Sequence, residues 1–505
     1  MTELTTNGHG SNGDIRIQYQ RTDAERAVER ARAAQEYWQL QPVDARIAAA
    51  MRAAKTMLRR RAEVMAIAHE EIGKVRAEAI LNEALGPLDQ VRAWGSVVTG
   101  ATRRRHVRLN PLSFAGKKAF VDFVPRGVVG IIAPWNFPVA GLYRSVLPAL
   151  LTGNGVVLKP SEYAPRSASW FVDRLAEELP AGLVAVLPGD GRVGEQLLHA
   201  GIDACVFTGS PRTGRSVALR CAERGIPSSI EMGGKDAAIV LGDCDLARTV
   251  AGITHWSLSN AGQACGAIEV AYVDERIADA FVDAMRRAWT RLDRASVAPL
   301  AHRAQFDVVR SHVEDARAKG AIVVCGGAPA SDDLWYPPTL IDRCHEPMSV
   351  VTDETFGPVL AIVRVAGASD AIRAVNRGRY GLGASVWTED LARGERIAAR
   401  LEVGVTSVNN HSFTGAIPAL PWSGTRETGF GVASSAYGLS TFVRPRVLAI
   451  DTSKDPDSYW MPYDDDLVEF GEAVADAQLL KLENAWKIPL LLRRRLRAIR
   501  SFFSR

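Results

Sequence analysis

The chain has 505 residues, 47% of them hydrophobic and 23% charged, which is typical of a globular protein and long enough for two or three domains. Its formal net charge of +4 is small for this length and argues against a general affinity for nucleic acid. The six cysteines show no paired spacing, which argues against a disulfide framework and a metal site, and no apolar run reaches the ~18 residues of a membrane span. We therefore expect a cytoplasmic protein.

The N-terminal segment 1–22 is polar and glycine-rich, which predicts disorder. Residues 23–100 carry apolar side chains at three- and four-residue spacing among strong helix formers, which predicts helices. The alternating run AFVDFV predicts a strand at 119–124. The wholly apolar run GVVGIIA predicts a parallel strand at 127–133 that is covered on both faces.

Strand-like runs then alternate with helical runs, in the order GVVLKP, SASWFVDRLAEEL, GLVAVLPG, GEQLLHAG, DACVFTGS and GRSVALRCAERG. This rhythm predicts a doubly wound α/β sheet, and a second α/β set begins near residue 234. The run TFVRPRVLAID at 441–451 predicts an extended strand, which Pro445 confines to an edge or an arm.

One cysteine stands among unusually small neighbours. Cys265 lies between Gly262 and Ala264 on one side and Gly266 and Ala267 on the other. A free cysteine is most often a buried, inert hydrophobic residue. Small neighbours, however, leave room for a reactant to approach the sulfur, so Cys265 is a candidate nucleophile.

Two strand ends carry groups that suit a nucleotide. After the strand in DACVFTGSPRTG, Ser210 predicts a helix N-cap, and Gly209 and Gly214 leave room for a phosphate beside the free amides; an ordinary strand-to-helix turn is the alternative. After VVLKPSE, Lys159 and Glu162 could bind the two hydroxyls of a ribose, or could form a solvated loop.

Two further strand ends carry groups that suit catalysis. Glu231 follows the strand of SSIEMGG, where poor solvation would raise its pKa and make it a general base; a plain strand-end glutamate is the alternative. Asn136 follows GIIAPW, where its amide could donate to a developing oxyanion, or could cap a turn.

Taken together and in this order, these motifs resemble the aldehyde dehydrogenase superfamily over about residues 23 to 450. The shared motifs are PWNFP with Trp135 and Asn136, LKPSE with Lys159 and Glu162, FTGSPRTG with Ser210, EMGGKD with Glu231, NAGQAC with Cys265, DETFGPV with Glu354 and Phe356, YGLGASVWT, and GFG at 429–431.

The resemblance implies an α/β fold with a Rossmann-type dinucleotide domain, an α/β catalytic domain and a small β arm for oligomerisation. The expected parts are the NAD-binding domain at 23–104 and 127–232, the catalytic domain at 233–440, the arm at 105–126 and 441–452, and a C-terminal extension at 453–505. Such an arm implies a homodimer or a homotetramer.

The resemblance also implies a reaction. The thiolate of Cys265 would add to an aldehyde, Asn136 would hold the oxyanion, a hydride would pass to NAD, and Glu231 would activate water to hydrolyse the thioester. An active enzyme would need a low-pKa thiol. A coenzyme A-acylating enzyme and a catalytically silent scaffold are the alternatives; members that acylate coenzyme A usually lack a glutamate matching Glu231.

The same resemblance assigns the cofactor site. Glu354 and Phe356 would position the nicotinamide half, and Trp135 is a further expected cofactor-binding residue. Lys159 and Glu162 would hold the adenosine ribose, and Ser210 the pyrophosphate. Glu162 favours NAD, because a carboxylate repels the 2′-phosphate of NADP, although NADP stays an alternative.

Two departures from the family pattern concern the substrate. Arg144 stands eight residues after Asn136, as in semialdehyde dehydrogenases, and could meet a carboxylated aldehyde. A second arginine expected six residues before the cysteine is replaced by Ser259. The basic, apolar tail 487–505 could contact a membrane surface, which would suit a fatty aldehyde, or could pack against the acidic segment 455–472.

Overall fold

The computed structural model describes residues 22–110, 114–329, 331, 333–480 and 485–504. The segment 1–22, predicted to be disordered, lies outside the described residues except for Thr22. The chain divides into two compact units, one within Met1–Thr102 and Val124–Arg444, the other within Arg103–Phe123 and Pro445–Arg505.

The long helices within residues 23–100 have one buried face, as the apolar spacing predicts. The α-helices of the described residues are α1 (Asp23–Trp38), α2 (Val43–Arg59), α3 (Arg61–Ile72), α4 (Arg76–Glu78), α5 (Pro87–Ala101), α6 (Ala140–Tyr143), α7 (Val146–Leu151), α8 (Pro165–Ala176), α9 (Gly191–His199), α10 (Pro211–Glu223), α11 (Leu246–Leu258), α12 (Ala278–Trp289), α13 (Arg303–Ala318), α14 (Ser349–Thr352), α15 (Ala368–Arg377), α16 (Leu391–Ala398), α17 (Ser435–Gly438), α18 (Asp465–Gln478) and α19 (Ile488–Phe503).

Strands alternate with these helices over most of the chain. They are β1 (Arg105–Val107), β2 (Lys117–Pro125), β3 (Val128–Ile132), β4 (Gly155–Lys159), β5 (Val184–Val186), β6 (Ala204–Thr208), β7 (Ser228–Glu231), β8 (Asp236–Val240), β9 (Ile268–Asp274), β10 (Ile322–Cys325), β11 (Thr339–Asp342), β12 (Val359–Val365), β13 (Tyr380–Gly381), β14 (Gly383–Trp387), β15 (Val405–Val408), β16 (Trp422–Ser423), β17 (Thr425–Arg426), β18 (Val432–Ala433) and β19 (Val443–Asp451).

The first large sheet is wholly parallel and has the strand order β5-β4-β3-β6-β7. Along β3, Val129 and Ile131 pack into one buried cluster and Val128 into another, so both faces are covered. From β3 the chain continues to β4 and β5 on one side of the sheet, and from β6 it continues to β7 on the other side. The switch point of this doubly wound sheet, where ligands bind in such folds, therefore lies between these two strands.

The second large sheet has the order β10-β11-β12-β9-β8-β14-β15, and only β10 runs antiparallel. Its faces pack into two further buried clusters. The two sheets confirm the predicted α/β fold class. Their division into a dinucleotide and a catalytic domain at residue 232 stays a prediction, because both sheets belong to the same compact unit.

The smaller unit contains a three-stranded sheet of order β1-β2-β19 and the helix pair α18 and α19. Pro445 lies within β19, whose residues after Val443 are exposed, as predicted for an edge or arm. Arginines of α19 pair with the acidic segment: Arg494 with Asp466 and Glu469, Arg495 with Asp464, and Arg500 with Asp455. The tail thus packs against 455–472, which was one of the two alternatives.

Across the described part of the chain, no helix is both long enough and apolar enough to cross a membrane.

Candidate active site

Three of the predicted site residues lie at the carboxyl ends of strands in the first large sheet. Asn136 lies in the loop after β3, Ser210 follows β6, and Glu231 is the last residue of β7. Parallel strands bring their carboxyl ends to the same edge of a sheet. The fold therefore places these side chains along one edge, as the sequence predicted.

The loop that carries Cys265 is fixed by amide side chains. Asn260 adopts a left-handed φ of 54°, and its Nδ2 donates to the carbonyl oxygens of Asn136 (3.0 Å) and Gln263 (3.1 Å). Gly262 has a φ of +70°, and a Cβ there would lie 2.1 Å from the carbonyl oxygen of Gly357. The motif NAGQAC thus specifies a loop geometry that holds the cysteine.

Asn136 is tied to the same loop. Its side-chain Nδ2 donates to the carbonyl oxygen of Gln263 at 3.0 Å, and the residue is buried. An amide nitrogen carries two hydrogens, so one N–H remains for a ligand. Asn136 and Cys265 also line one small cavity of about 80 Å³, together with Arg144 and Glu231.

A larger cavity of about 420 Å³ opens on the other side of Cys265. A Cβ on Gly266 would lie 2.2 Å from Ser412 Oγ and 3.0 Å from the Trp422 ring, so only glycine fits beside the sulfur. The wall of the cavity is mostly apolar. It includes Leu81, Phe137, Tyr143, Trp256, Phe413 and Trp422, with Glu78, Arg144, His255 and Ser259 among its polar residues.

The thiol lies in an environment that disfavours the thiolate. Burial raises the pKa of Cys265 to about 12, the Arg144 guanidinium opposes this shift, and the carboxyls of Asp236, Glu231 and Glu354 add to it. This environment therefore favours the neutral thiol over the thiolate. The sequence showed the small neighbours of the cysteine but not the carboxyls around it.

Arg144 lies between the two cavities. Its Nη2 is 3.6 Å from Glu231 Oε2, and its guanidinium carbon is 5.2 Å from the centre of the Trp422 ring. Burial raises the pKa of Glu231, and the positive charge of Arg144 partly offsets this shift. Arg144 Nε and Nη2 are buried and have no hydrogen-bond partner among the described residues.

Glu354 and Phe356 lie on a loop that reaches the same region. The Glu354 carboxylate accepts the N–H of Gly234 at 3.0 Å, and a Cβ on Gly233 would clash with it. Burial, and secondly the charge of Glu269, raise the pKa of Glu354 to about 8. Phe356 meets Trp135 edge-on, with ring centres 5.6 Å apart.

Sequence reasoning gave no role to the residues that hold this loop, although Glu269 departs from the arginine frequent in the family. The buried carboxylate of Glu269 accepts the backbone N–H groups of Thr355 and Phe356, both at 2.8 Å. It also pairs with Lys235 Nζ at 2.5 Å. No local pattern gave a signal for this arrangement, because the partners lie far apart in the chain.

A second buried pair, also missed, supports the Asn136 loop. Lys74 and Glu83 have fully buried side chains and lie 2.5 Å apart. Lys74 Nζ donates to the carbonyl oxygen of Asn136 at 3.1 Å, and Glu83 accepts the N–H groups of Val139 and Ala140 at 3.0 and 2.9 Å. The pair therefore fixes both ends of this loop.

The predicted ribose-binding residues are adjacent. Lys159 ends β4 and is buried, and its Nζ lies 3.6 Å from the carboxylate of Glu162, whose side chain is 52% exposed. The rings of Tyr163, His302 and Trp135 lie in contact nearby, an arrangement that sequence reasoning also missed. His302 stacks on Tyr163 at 4.1 Å between ring centres and meets Trp135 edge-on at 5.3 Å.

Ser210 caps α10 as predicted, its Oγ accepting the N–H of Thr213 at 3.4 Å. The two glycines beside it have a packing reason as well. A Cβ on Gly209 would lie 2.8 Å from the Phe207 ring, and one on Gly214 would lie 2.6 Å from Met232 Sδ. The groups that lie close to these two glycines are therefore the Phe207 and Met232 side chains of the protein.

Comparisons with known proteins identify the family. The model of the aldehyde dehydrogenase family matches residues 14–448. A 4,4′-diapolycopene aldehyde oxidase from a Methylomonas species is 35% identical over 398 residues, covering 77% of this chain and 75% of that protein. A Mycolicibacterium smegmatis protein, provisionally named a succinate-semialdehyde dehydrogenase for NADP(+), is 35% identical over 438 residues, covering 85% and 84%.

A solved structure agrees with these relatives. The crystal structure of a Mycobacterium tuberculosis aldehyde dehydrogenase complexed with NAD+ is 30% identical and has a TM-score of 0.79, covering 84% of this chain and 89% of that one. The chain therefore belongs to the aldehyde dehydrogenase family and is an oxidoreductase that acts on aldehydes.

Proposed function

We propose that the protein oxidises an aldehyde to a carboxylic acid through a covalent intermediate on Cys265, with NAD+ as the hydride acceptor. One observation carries this proposal. Cys265 lines both a cavity large enough for a substrate and a smaller one that it shares with Asn136 and Glu231. A nucleophile, an amide donor and a carboxylate base are the groups that acyl transfer requires.

Catalysis would begin with the thiol. Its proton passes to water, with the positive charge of Arg144 favouring the thiolate, and the sulfur adds to the carbonyl carbon. The electron pair of the C=O bond moves to oxygen, and the free N–H of Asn136 donates to that oxyanion. A donor of this kind contributes roughly 3 kcal/mol to stabilising the transition state. Return of the electron pair expels hydride and leaves a thioester.

Glu231 would complete the reaction. Its buried carboxylate takes a proton from water, and the resulting hydroxide attacks the thioester carbon and displaces the sulfur. The cavity of about 80 Å³ beside Glu231 has room for a few water molecules. This arrangement supports hydrolysis to the free acid over transfer to coenzyme A.

The residues present fit a nicotinamide dinucleotide. The half-exposed Glu162 carboxylate can accept ribose hydroxyls beside Lys159, and the N-terminus of α10 after Gly209 and Ser210 suits a pyrophosphate. Glu354, Phe356 and Trp135 would hold the nicotinamide half. Bound there, NAD+ supplies the hydride acceptor. Glu162 favours NAD+ over NADP+, although the Mycolicibacterium relative is named for NADP(+).

An apolar aldehyde fits the cavity best. Its wall is mostly apolar, and its only arginine, Arg144, already lies beside Glu231 and Trp422. Glu78 lines the same cavity and would repel a carboxylate. The Methylomonas relative is named for the aldehyde of a long carotenoid.

A carboxylated aldehyde is the second candidate. The observation in its favour is that Arg144 Nε and Nη2 are buried without a hydrogen-bond partner in the described structure. The Mycolicibacterium relative is provisionally named for such a substrate.

We also propose that the protein is a homodimer or homotetramer in the cytoplasm. The support for oligomerisation is the strand β19, whose exposed residues include Val447, Leu448 and Ile450. Exposed edge strands with apolar side chains readily pair with another chain. The support for the cytoplasm is the absence of paired cysteine spacing in the sequence.

The test is to follow reduced nicotinamide at its absorbance band, with purified protein, NAD+ or NADP+, and a panel of short, long-chain, aromatic and ω-carboxylated aldehydes. We expect turnover of long or aromatic aldehydes with NAD+, without coenzyme A, and a loss of about 10⁴-fold or more in Cys265→Ala. Turnover that requires coenzyme A would favour the acylating alternative. No turnover of any aldehyde would favour the silent scaffold.

A further inference from the structure

Helix α19 has one face that is already occupied. Leu491, Arg495 and Ile499 are buried, at the spacing of one helical face. The Arg495 guanidinium, fully buried, donates to the backbone carbonyl oxygens of Ser458, Trp460 and Pro462 and pairs with Asp464. This face is a packing surface within the smaller unit.

The opposite face of α19 is exposed and combines apolar and cationic residues. Trp486, just before the helix, and Leu490 are 70% and 63% exposed, and Arg493 and Arg497 continue the same face at three- and four-residue spacing. At the helix end, Phe502 and Phe503 are 58% and 67% exposed. We call Trp486, Leu490, Arg493 and Arg497 the outer face.

The charges of α19 are divided between the two faces. The acidic segment pairs with Arg494, Arg495 and Arg500, whereas Arg493 and Arg497 form no ion pair with any described residue. From residue 486 to 504 the sequence contains no acidic side chain. Pairing with the acidic segment therefore neutralises other arginines and leaves the outer face positively charged.

We propose that the outer face of α19 binds the surface of an anionic membrane. The Trp486 and Leu490 side chains insert at the boundary between headgroups and acyl chains, and the two arginines beside them meet the anionic headgroups. Charge complementarity selects this partner, because a second copy of the chain would present the same positive face. Nucleic acid would use the arginines but would leave the exposed Trp486 and Leu490 of the same face without a role.

The experiment measures cosedimentation of the full-length protein with vesicles of phosphatidylcholine alone or mixed with phosphatidylglycerol. We expect binding to the mixed vesicles only, and weaker binding as salt rises. The double variant Arg493→Glu/Arg497→Glu should lose at least about tenfold in binding, and Trp486→Ala/Leu490→Ala should also bind more weakly. Both variants should keep the dehydrogenase activity and elution volume of the parent protein.

Helix α2 offers a matched control. Lys55 and Arg59 are exposed cations with the same four-residue spacing, and Lys55→Glu/Arg59→Glu makes the same change in charge. This control should bind vesicles like the parent protein. The proposal is overturned if the parent protein does not bind mixed vesicles, if the control loses binding equally, or if Trp486→Ala/Leu490→Ala binds unchanged. It is also overturned if the Arg493 and Arg497 variant changes the oligomer size, since the face would then join copies of the chain.

Discussion

The catalytic end and the cofactor end of the candidate site differ in burial. At the catalytic end, burial raises the pKa values of Cys265 and Glu231. At the cofactor end, Glu162 is half-exposed and Ser210 is exposed at a helix start. Burial moves the pKa of a carboxyl such as Glu231 toward neutral pH, where it can exchange protons, whereas exposed polar groups mainly supply hydrogen bonds. Substitutions should therefore lower kcat at one end and raise KM at the other.

Among substitutions that keep the Cys265 nucleophile, the largest effect is expected at Glu231. Glu231→Gln keeps the shape of the side chain but removes the base, so steady-state turnover should fall about 10²- to 10⁴-fold. A burst of reduced nicotinamide of about one per site should remain, because acylation precedes the missing step. Stopped-flow absorbance measures both phases.

Hydroxylamine provides the control for this substitution. It attacks thioesters without needing a base, so it should restore turnover to Glu231→Gln. A loss of burst and steady state together, without rescue, would mean that Glu231 acts before the thioester forms.

Asn136 should give the next effect. Asn136→Ala removes one oxyanion donor and should lower kcat about 10²- to 10³-fold, with a smaller change in KM for NAD+. Steady-state kinetics measure this split, and circular dichroism checks the fold. A rise in KM for NAD+ with an unchanged kcat would place Asn136 in binding instead.

Thiol labelling tests the electrostatics of the catalytic end. For a thiol with a pKa of about 12, the thiolate fraction rises tenfold per pH unit below that value, so labelling of Cys265 by iodoacetamide should climb from pH 7 to 9 without a plateau. Arg144→Met removes the charge that lowers this pKa and should slow labelling at every pH, whereas Arg144→Lys should slow it less. Peptide mass spectrometry follows the site, and a plateau near pH 8 would contradict the raised pKa.

The smallest effect is expected at the exposed end. Glu162→Gln weakens hydrogen bonds to the ribose and removes a negative charge, so KM for NAD+ should rise up to about tenfold while KM for NADP+ falls. Initial rates with both cofactors measure the ratio. A large fall in kcat at unchanged KM would remove the distinction between the two ends.

Local sequence patterns were enough to predict the strands named below and the candidate functional residues at strand ends. The apolar run at 127–133 corresponds to β3, and Ser210 after β6 caps α10 as predicted. Cys265 was marked by its small neighbours, and the structure shows why Gly266 must be small. These features depend on residues within a few positions of one another, so the sequence displays them.

Partners across the chain could not be predicted in this way. Lys74 reaches Asn136 across 62 residues, and Glu269 reaches Thr355 across 86. Such pairs depend on how the sheets are assembled, and a lysine or glutamate within a helix or strand carries no sign of its partner. The raised pKa of Cys265 was missed for the same reason, since its cause is burial among distant carboxyls.

The central claim is the covalent intermediate on Cys265, and trapping it is the most direct test. Glu231→Gln is mixed with NAD+ and a turned-over aldehyde, and its peptides are analysed by mass spectrometry. The account predicts one acyl group on the peptide that carries Cys265, and none when Cys265→Ala is added to the variant. An unmodified Cys265, or an acyl group on another cysteine, would contradict it.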